Sequence, residues 1–234
     1  MFIILFFKPL YTFSMKKPTA IKVAIAHGHA MERAGLKSII EQHSNYNVAV
    51  EAATGSELIR QLKSEKAVPG ICIVDLGITM QNGYATLLTL METWPELKVI
   101  ILSMYNHEEL VTRILRAGAA SFLYKNNEEM LLMEAIEQVI KKGHYFTNAV
   151  SKLVLQKTKK QPEITDKELQ FLYLCAKDLP YKVIASEMGI KPRSVENYRV
   201  SLFSKLGVHT KTGLVNFVIE SGLVNLCIES STPR

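Results

Sequence analysis

The chain has 234 residues, of which 48% are hydrophobic and 21% are charged, a balance typical of a globular protein with a hydrophobic core rather than of a disordered one. The formal net charge of +6 is unevenly spread, because residues 144–234 contain 13 lysines and arginines against 8 acidic residues. This excess is expected if the C-terminal part binds nucleic acid, although a basic surface without such a partner has the same composition.

The three cysteines, Cys72, Cys175 and Cys227, lie far apart in apolar stretches. No two of them have the spacing of metal ligands, and their number is odd. We therefore expect buried free thiols in a reducing compartment, which excludes a disulfide framework, a structural zinc site and redox chemistry.

The N-terminus, MFIILFFKPLYTF, is an apolar run that Lys8 and Pro9 interrupt. The run is too short to span a bilayer, and it lacks the basic start and the small-residue cleavage site of a signal peptide. Met15, which two lysines follow, is a more natural start. We expect residues 1–20 to be a disordered extension or the product of an upstream start codon, on a cytoplasmic protein.

Short β-rich apolar runs alternate with helical patterns from residue 22 to residue 142. The predicted strands are 22–26, 46–51, 71–75, 98–103 and 121–124, and the predicted helices are 30–42, 55–63, 83–94, 108–117 and 128–142. Five such repeats predict a doubly wound α/β domain with a five-stranded parallel sheet. In this architecture ligands bind at the carboxyl ends of the strands.

Polar residues stand at three of these strand ends: Asp75, Ser103 and Lys125. A carboxylate, a hydroxyl and an ammonium group at one sheet edge suit the formation of an acyl phosphate, with the carboxylate as nucleophile. The hydroxyl and the ammonium group would hold the phosphoryl oxygens. A single aspartate in this place more often caps a turn, so the prediction depends on the three residues together.

Residues 144–161 are polar and basic and are predicted to be a linker, and residues 162–228 follow a helical pattern. Thr165 and Glu168 form a capping-box sequence at the start of the first helix. The later helices are predicted to begin at Pro180, Pro192 and Thr212 and to end at Gly189, Gly207 and Gly222. This pattern predicts an all-α, four-helix domain, which a tail of residues 229–234 follows.

The third helix of this domain is amphipathic. Its predicted buried stripe consists of Val195, Tyr198, Leu202 and Leu206. Its predicted outer face consists of Arg193, Glu196, Asn197, Val200 and Ser204. On such a face Asn197 can pair with adenine, Glu196 can accept from cytosine and Val200 can touch a thymine methyl group in a major groove.

Candidate phosphate contacts lie on this helix and on the segments next to it. They are Lys182, Ser194, Arg199, Lys205, Thr210 and Lys211. A helical bundle with a solvated polar surface would account for any one of these residues equally well.

Residues 21–143 resemble the receiver domain of response regulators. The order Asp75, Ser103, Lys125 is similar to that of the receiver's phosphoacceptor, switch hydroxyl and lysine, and Phe122 occupies the place of its switch aromatic. The pairs Asn82-Gly83 and Gly118-Ala119 support the resemblance. It implies transfer of a phosphoryl group from a sensor histidine kinase to Asp75.

The sequence departs from this family at the metal site. His27 and Gly28 stand where receivers have two acidic residues, which leaves Asp75 and the carbonyl group of Gly77 as oxygen ligands. Thr79 replaces the usual proline. Since Mg²⁺ requires several oxygen ligands, we expect weak Mg²⁺ binding and weak or absent phosphorylation. His27 and His29 could chelate a transition metal, but no third ligand is evident, so no metal site is predicted.

Residues 162–228 resemble the LuxR-type helix-turn-helix domain. The resemblance lies in Ile164-Thr165-Asp166-Lys167-Glu168, in residues 183–190 (VIASEMGI), in Ser194-Val195-Glu196-Asn197-Tyr198 and in Lys205-Leu206-Gly207-Val208. Tyr198 stands where many members have histidine. A receiver joined to this domain is similar to the NarL/FixJ class of response regulators, which implies a transcription regulator that binds duplex DNA as a homodimer.

Two other functions have to be considered. A phosphatase of the haloacid-dehalogenase type also uses an aspartyl phosphate, but it needs a second aspartate where this chain has Gly77, so no enzymatic activity is predicted. An interaction adaptor that no longer binds DNA would differ from a regulator in showing no salt-dependent binding to duplexes. Within the regulator interpretation, control by phosphorylation of Asp75 and control by dimerisation or a bound ligand both remain open.

Overall fold

The computed structural model describes residues 20–65, 68–78, 83–125, 129–156 and 163–226. Predictions for the N-terminal extension before Ala20, for the basic end of the linker, for the tail and for Thr79, Asn82 and Cys227 lie outside the described residues. Within these ranges no helix combines the length and the apolar character needed to cross a membrane.

The first part of the chain alternates strands and helices close to the predicted bounds. The elements are β1 (Ile21–Ala26), α1 (Ala30–Glu41), β2 (Tyr46–Ala52), α2 (Gly55–Ser64), β3 (Ile71–Asp75), α3 (Gly83–Thr93), β4 (Lys98–Ser103), α4 (Glu108–Arg116), β5 (Ser121–Tyr124) and α5 (Glu129–Lys142). The strands pair in parallel in the order β2-β1-β3-β4-β5. This confirms the predicted doubly wound, five-stranded α/β fold.

Helices cover both faces of the sheet. Val23 and Ile25 of β1 pack with buried residues of α1 and α5, whereas Ala24 and Ala26 pack with those of α2, α3 and α4. β3 is buried along its whole length, as expected for a central strand of a parallel sheet. The carboxyl ends of β1, β3, β4 and β5 therefore lie side by side at one edge.

The segment predicted to be a linker is partly helical. It contains α6 (Asn148–Gln156), whose start is capped by Thr147, because the Thr147 hydroxyl accepts a hydrogen bond from the N–H of Val150. Val150 is buried, and α6 packs against α4. The polar composition of the whole segment did not predict this helix.

The C-terminal part is all-α, as predicted. It consists of α7 (Asp166–Ala176), α8 (Tyr181–Glu187), α9 (Pro192–Leu206), α10 (Lys211–Glu220) and a 3₁₀ turn (Leu223–Leu226). The predicted capping box at Thr165 and Glu168 is present. Gly189 and Gly207 have positive φ values of 62° and 65°, a conformation that glycine adopts without the steric cost of a Cβ, and they end α8 and α9.

The two parts pack against each other through polar contacts of α4. Arg113 is the central residue: its Nε donates to Glu109 at 2.8 Å, and its other nitrogens donate to the Asp166 carboxylate and to the carbonyl oxygen of Ile164. Arg116, one turn later, pairs with Glu163. Two arginines of one receiver helix therefore hold the residues that lead into α7.

Apolar contacts complete this interface. The ring of Tyr105, just after β4, lies directly against Gly222, where an added Cβ would come within 2.4 Å of Tyr105 Cγ. His107 and Phe217 meet edge to face with ring centroids 5.3 Å apart. One hydrophobic cluster extends from the sheet into the helical domain. The interface therefore lies directly beside the end of β4.

Candidate functional site

Asp75 lies at the carboxyl end of β3 in a nearly closed site. It is 5% exposed, and its Oδ1 is 3.0 Å from the Nζ of Lys125, which follows β5. The N–H of Gly77 donates to the same oxygen at 3.3 Å. The structure thus brings the predicted phosphoacceptor and the predicted lysine into direct contact.

Ser103, the third predicted residue of this group, lies at the adjacent end of β4 and is 1% exposed. Its hydroxyl donates to the carbonyl oxygen of Tyr105 at 2.9 Å and accepts from the N–H of Tyr105 at 3.0 Å. In this state the hydroxyl holds the backbone of Tyr105, whose ring contacts the helical domain at Gly222. The Ser103 side chain is therefore bonded directly to a residue of the domain interface.

Two further residues position this site. Phe122, the predicted switch aromatic, is packed inside the core at 1% exposure. Gly83 starts α3 so close to the end of β3 that an added Cβ would lie 2.5 Å from the carbonyl oxygen of Asp75. Only glycine allows this approach, so α3 helps to fix the backbone that carries Asp75.

His27 occupies the place of a receiver acid and is almost fully buried. Its Nδ1 accepts from the N–H of His29 at 3.1 Å, and its Nε2 lies 2.9 Å from Glu32 and 3.7 Å from Asp75. Burial lowers the pKa of His27; the carboxylates of Asp75 and Glu32 oppose this shift, and Lys125 adds to it. The lowered pKa favours the neutral ring at pH 7. Nε2 of this ring also lies 3.0 Å from the Nζ of Lys125.

The residues at this edge do not fit Mg²⁺, the metal that receivers use. His27 places an imidazole nitrogen beside Asp75, Gly28 offers no side chain, and the Lys125 ammonium group is already bound to Asp75. Mg²⁺ requires a near-octahedral shell of oxygen atoms. Gly77 is close enough to Asp75 for its backbone to take part, but the donor set as a whole is unsuited to this ion.

Sequence reasoning missed Glu32. Its carboxylate lies 3.4 Å from His29 Nδ1 and 3.3 Å from the Nζ of Lys125, in addition to its contact with His27. His29 and Glu32 are three residues apart at the start of α1, so their side chains share one face of the helix. This spacing was visible in the sequence and supplies the third donor that seemed to be missing.

The outer face of α9 is presented to solvent. Val195 and Leu202 are buried and Tyr198 and Leu206 are half-buried, as expected for the inner stripe. The exposed residues are Arg193, Glu196, Asn197, Val200 and Ser204. Val200 is 57% exposed, so its side chain is open to solvent among these polar neighbours.

The predicted phosphate contacts differ in how far their side chains are exposed and in whether they already have partners within the protein. Lys182 is exposed, and Ser194 and Arg199 are half-buried beside the outer face of α9. Arg199 pairs with Glu196, and its guanidinium group lies 5.6 Å from the centroid of the Phe203 ring. These residues border the exposed face and remain candidate DNA contacts.

Three of the other predicted contacts have partners within the domain. Lys205 donates to Glu168 at 2.7 Å and to the carbonyl oxygen of Glu163 at 2.8 Å. Lys211 donates to Asp178 and to the carbonyl oxygen of Leu179, and the Thr210 hydroxyl caps α10. The structure thus gives these residues a role in the fold, and a role in binding phosphate stays a prediction.

Glu168 links α7 to α9. Burial alone would raise its pKa, but hydrogen bonds from Lys205, from the backbone of Thr165 and from Ser201 outweigh burial and lower it. The carboxylate is therefore ionised at neutral pH. It fixes the start of α7 and the end of α9 relative to each other, and so helps to orient the exposed face of α9.

Comparison with known families gives two matches. Residues 23–137 match the response regulator receiver domain, and residues 162–218 match the bacterial regulatory proteins of the luxR family. The chain is 28% identical over 217 residues to the oxygen regulatory protein NreC of Staphylococcus aureus, covering 87% of this chain and 99% of that protein. The two matches confirm the predicted types of domain, a receiver and a LuxR-type helix-turn-helix domain.

Solved structures share the fold of this chain. RcsB from Salmonella enterica serovar Typhimurium, bound to the promoter rprA in the presence of a phosphomimetic, has a TM-score of 0.66 at 22% identity and covers 86% of this chain and 99% of its own. An RcsB–DNA complex gives 0.60 at 24% identity with the same coverage. This likeness shows the fold. The chain belongs to the response regulators of the NarL/FixJ class, in which a receiver domain is joined to a LuxR-type helix-turn-helix domain.

Proposed function

We propose that this response regulator controls transcription by placing α9 in the major groove of DNA. The exposed face of α9 carries this proposal, because a row of polar side chains with one exposed valine is what base recognition requires. Asn197 reads adenine, Val200 contacts a thymine methyl group, and Glu196 accepts from cytosine once Arg199 turns to a phosphate.

The regulator acts as a homodimer in the cytoplasm. A single domain of this size offers only a few base contacts, and two half-sites double them. The structure of two RcsB dimers bound to two parallel DNAs supports this step. The +6 charge of this chain, concentrated in its C-terminal part, favours such a complex.

The receiver controls the helical domain through their common interface. Ser103 holds Tyr105 by two hydrogen bonds, and the ring of Tyr105 lies against Gly222. Any change that draws the Ser103 hydroxyl toward Asp75 breaks both bonds and releases Tyr105. A phosphoryl group from a sensor kinase would do this, but the unsuitable metal site makes phosphorylation weak, so receiver dimerisation is the stronger candidate signal.

The DNA-binding proposal is tested with the full chain and duplexes selected from a random pool. Fluorescence anisotropy should show affinity that falls steeply with salt. Asn197→Ala should weaken binding to the selected duplex by about 1–3 kcal/mol, roughly 5- to 150-fold in Kd. The variant should lose its preference for the base at one position and keep its preferences at the other positions. Asn216→Ala, an exposed asparagine on α10, is the matched control. Absence of binding at low salt would instead favour the interaction adaptor.

The phosphorylation proposal is tested by incubation with acetyl phosphate and Mg²⁺ followed by intact-mass analysis. We expect little or no product, because Asp75 is paired with Lys125 and lacks a suitable metal shell. Asp75→Asn controls for phosphorylation elsewhere. Stoichiometric phosphate on Asp75 would contradict the proposal and would make a kinase the main input.

A further inference from the structure

Three metal-binding side chains converge beside Asp75. One donor atom from each of His27, His29 and Glu32 lies within 4.8 Å of the other two. His27 is at the end of the sheet and buried, whereas His29 and Glu32 are exposed on the first turn of α1. The cluster therefore combines one rigid ligand with two ligands that are open to solvent.

We propose that His27, His29 and Glu32, with Asp75 as a fourth ligand, bind a divalent transition metal ion such as Zn²⁺ or Co²⁺. The ligand atoms of a tetrahedral site with metal–ligand bonds of about 2.0–2.1 Å are about 3.3 Å apart. The observed separations are 2.9 Å from His27 Nε2 to Glu32 Oε2, 3.4 Å from His29 Nδ1 to Glu32 Oε1 and 3.7 Å from His27 Nε2 to Asp75 Oδ2. These three separations lie close to the tetrahedral value, and the two oxygens of Glu32 face the two histidines.

The donor atoms select the class of metal. Two imidazole nitrogens and two carboxylates suit zinc, cobalt and nickel, whereas magnesium and calcium require oxygen atoms throughout. The exchange of a receiver acid for His27 thus changes the preferred metal instead of abolishing the site. The departure that makes this edge unsuitable for Mg²⁺ is the one that makes it suitable for a softer ion.

The backbone around His27 is already held in place. Arg33 donates to the carbonyl oxygen of His27 at 2.7 Å, and the N–H of His27 donates to the carbonyl oxygen of Ala52 at 3.0 Å. His29 is the N-cap residue of α1 and makes no side-chain capping bond. Its imidazole can therefore turn toward the metal at no cost to the helix.

Metal binding requires two local changes. A metal ion on Nε2 of His27 requires the ring proton to be on Nδ1, and the hydrogen bond that Nδ1 accepts from the N–H of His29 is then lost. The Lys125 ammonium group, which is 3.0 Å from Asp75 and 3.3 Å from Glu32, has to leave. Lys125 and the metal are thus alternative cations for the same carboxylates.

The proposal is tested with the untagged full-length protein titrated with Co²⁺, which shows strong visible absorption when it is tetrahedral, and with competition by Zn²⁺. His29→Ala and Glu32→Gln should each weaken binding roughly tenfold or more. His43→Ala removes an exposed histidine outside the cluster and should bind as the parent does. Circular dichroism checks that each variant is folded.

Lys125→Met gives the sharpest test. Removal of the competing ammonium group should tighten Co²⁺ binding, and weaker or unchanged binding would contradict the competition. Asp75→Asn should alter the cobalt spectrum, and an unaltered spectrum removes Asp75 from the ligand set. No tetrahedral Co²⁺ signal in the parent, or a signal that survives His29→Ala and Glu32→Gln, overturns the site. None of these measurements depends on DNA binding.

Discussion

Replacement of Gly222 with alanine tests whether the two domains are held together as the structure indicates. Gly222 has a φ of 73°, and its Cα lies under the ring of Tyr105, so that a Cβ would be 2.4 Å from Tyr105 Cγ and 2.6 Å from Tyr105 Cβ. Atoms do not approach this closely, and the flanking backbone of Tyr105 is fixed by Ser103. The alanine therefore has to displace either Tyr105 or the whole helical domain.

The expected cost has two components. An alanine with left-handed backbone angles costs about 1–2 kcal/mol. Displacement of Tyr105 adds the cost of losing its two hydrogen bonds with Ser103, about 0.5–1.5 kcal/mol each. The sum is about 2–5 kcal/mol. Gly189→Ala isolates the first component, because Gly189 has a φ of 62° and no atom within 4 Å of its added Cβ.

Scanning calorimetry of the full chain measures the difference. At about 4–8 °C per kcal/mol for a domain of this size, Gly222→Ala should lower the melting temperature of the helical domain well beyond Gly189→Ala. Tyr105→Gly, which removes the Tyr105 Cβ as well as the ring, should recover the excess in the Gly222→Ala background, as a coupled pair in a double-mutant cycle does. Equal effects of the two glycine substitutions, or no recovery, would refute the packing argument.

Further predictions concern ionisation and charge. Glu168→Gln should destabilise the helical domain by about 1.5–3 kcal/mol at pH 7. Because the folded pKa of Glu168 is lowered, its contribution is complete above its unfolded value of about 4.5 and is lost as the pH falls through the folded value, so the difference in urea unfolding should shrink at low pH. A difference that does not change with pH would contradict this. Burial raises the pKa of Cys72 and raises that of Cys175 to about 11, so in a Cys227→Ser background both should resist alkylation at pH 8 until urea is added. Rapid labelling of either thiol in the native protein would be inconsistent with this burial. Arg113→Ala should cost about 1.5–3 kcal/mol, since it removes charge-assisted hydrogen bonds to Glu109 and Asp166, whereas the exposed Arg116→Ala should cost less than about 1 kcal/mol; similar melting temperatures for the two variants would contradict this ranking.

The sequence predicted most of the fold because the signals that decide it are local. Parallel strands buried on both faces produce continuous apolar runs such as Ile71–Asp75, and helix ends are marked by residues whose chemistry is specific, such as Thr165 and Gly207. Each of these signals acts within a few residues. The α/β order, the capping box and the orientation of α9 follow from them.

Contacts between distant parts of the chain were not predictable in this way. Lys205 and Lys211 have the charge expected of phosphate contacts, but their partners Glu168 and Asp178 lie more than thirty residues away. Whether such a lysine faces DNA or a carboxylate depends on packing that composition does not specify. The helix within the predicted linker was missed for the same reason, because the burial of Val150 depends on α4.

Arg113 and Arg116 have a consequence for how such proteins can be recombined. Both project from the receiver, yet their partners are Glu163 and Ile164, which precede α7, and Asp166, the first residue of α7. A chimera that joins this effector half to an unrelated receiver would keep the acidic segment and lose its arginines. Exchange of domains among relatives therefore has to carry the sequence of α4 along with the output domain.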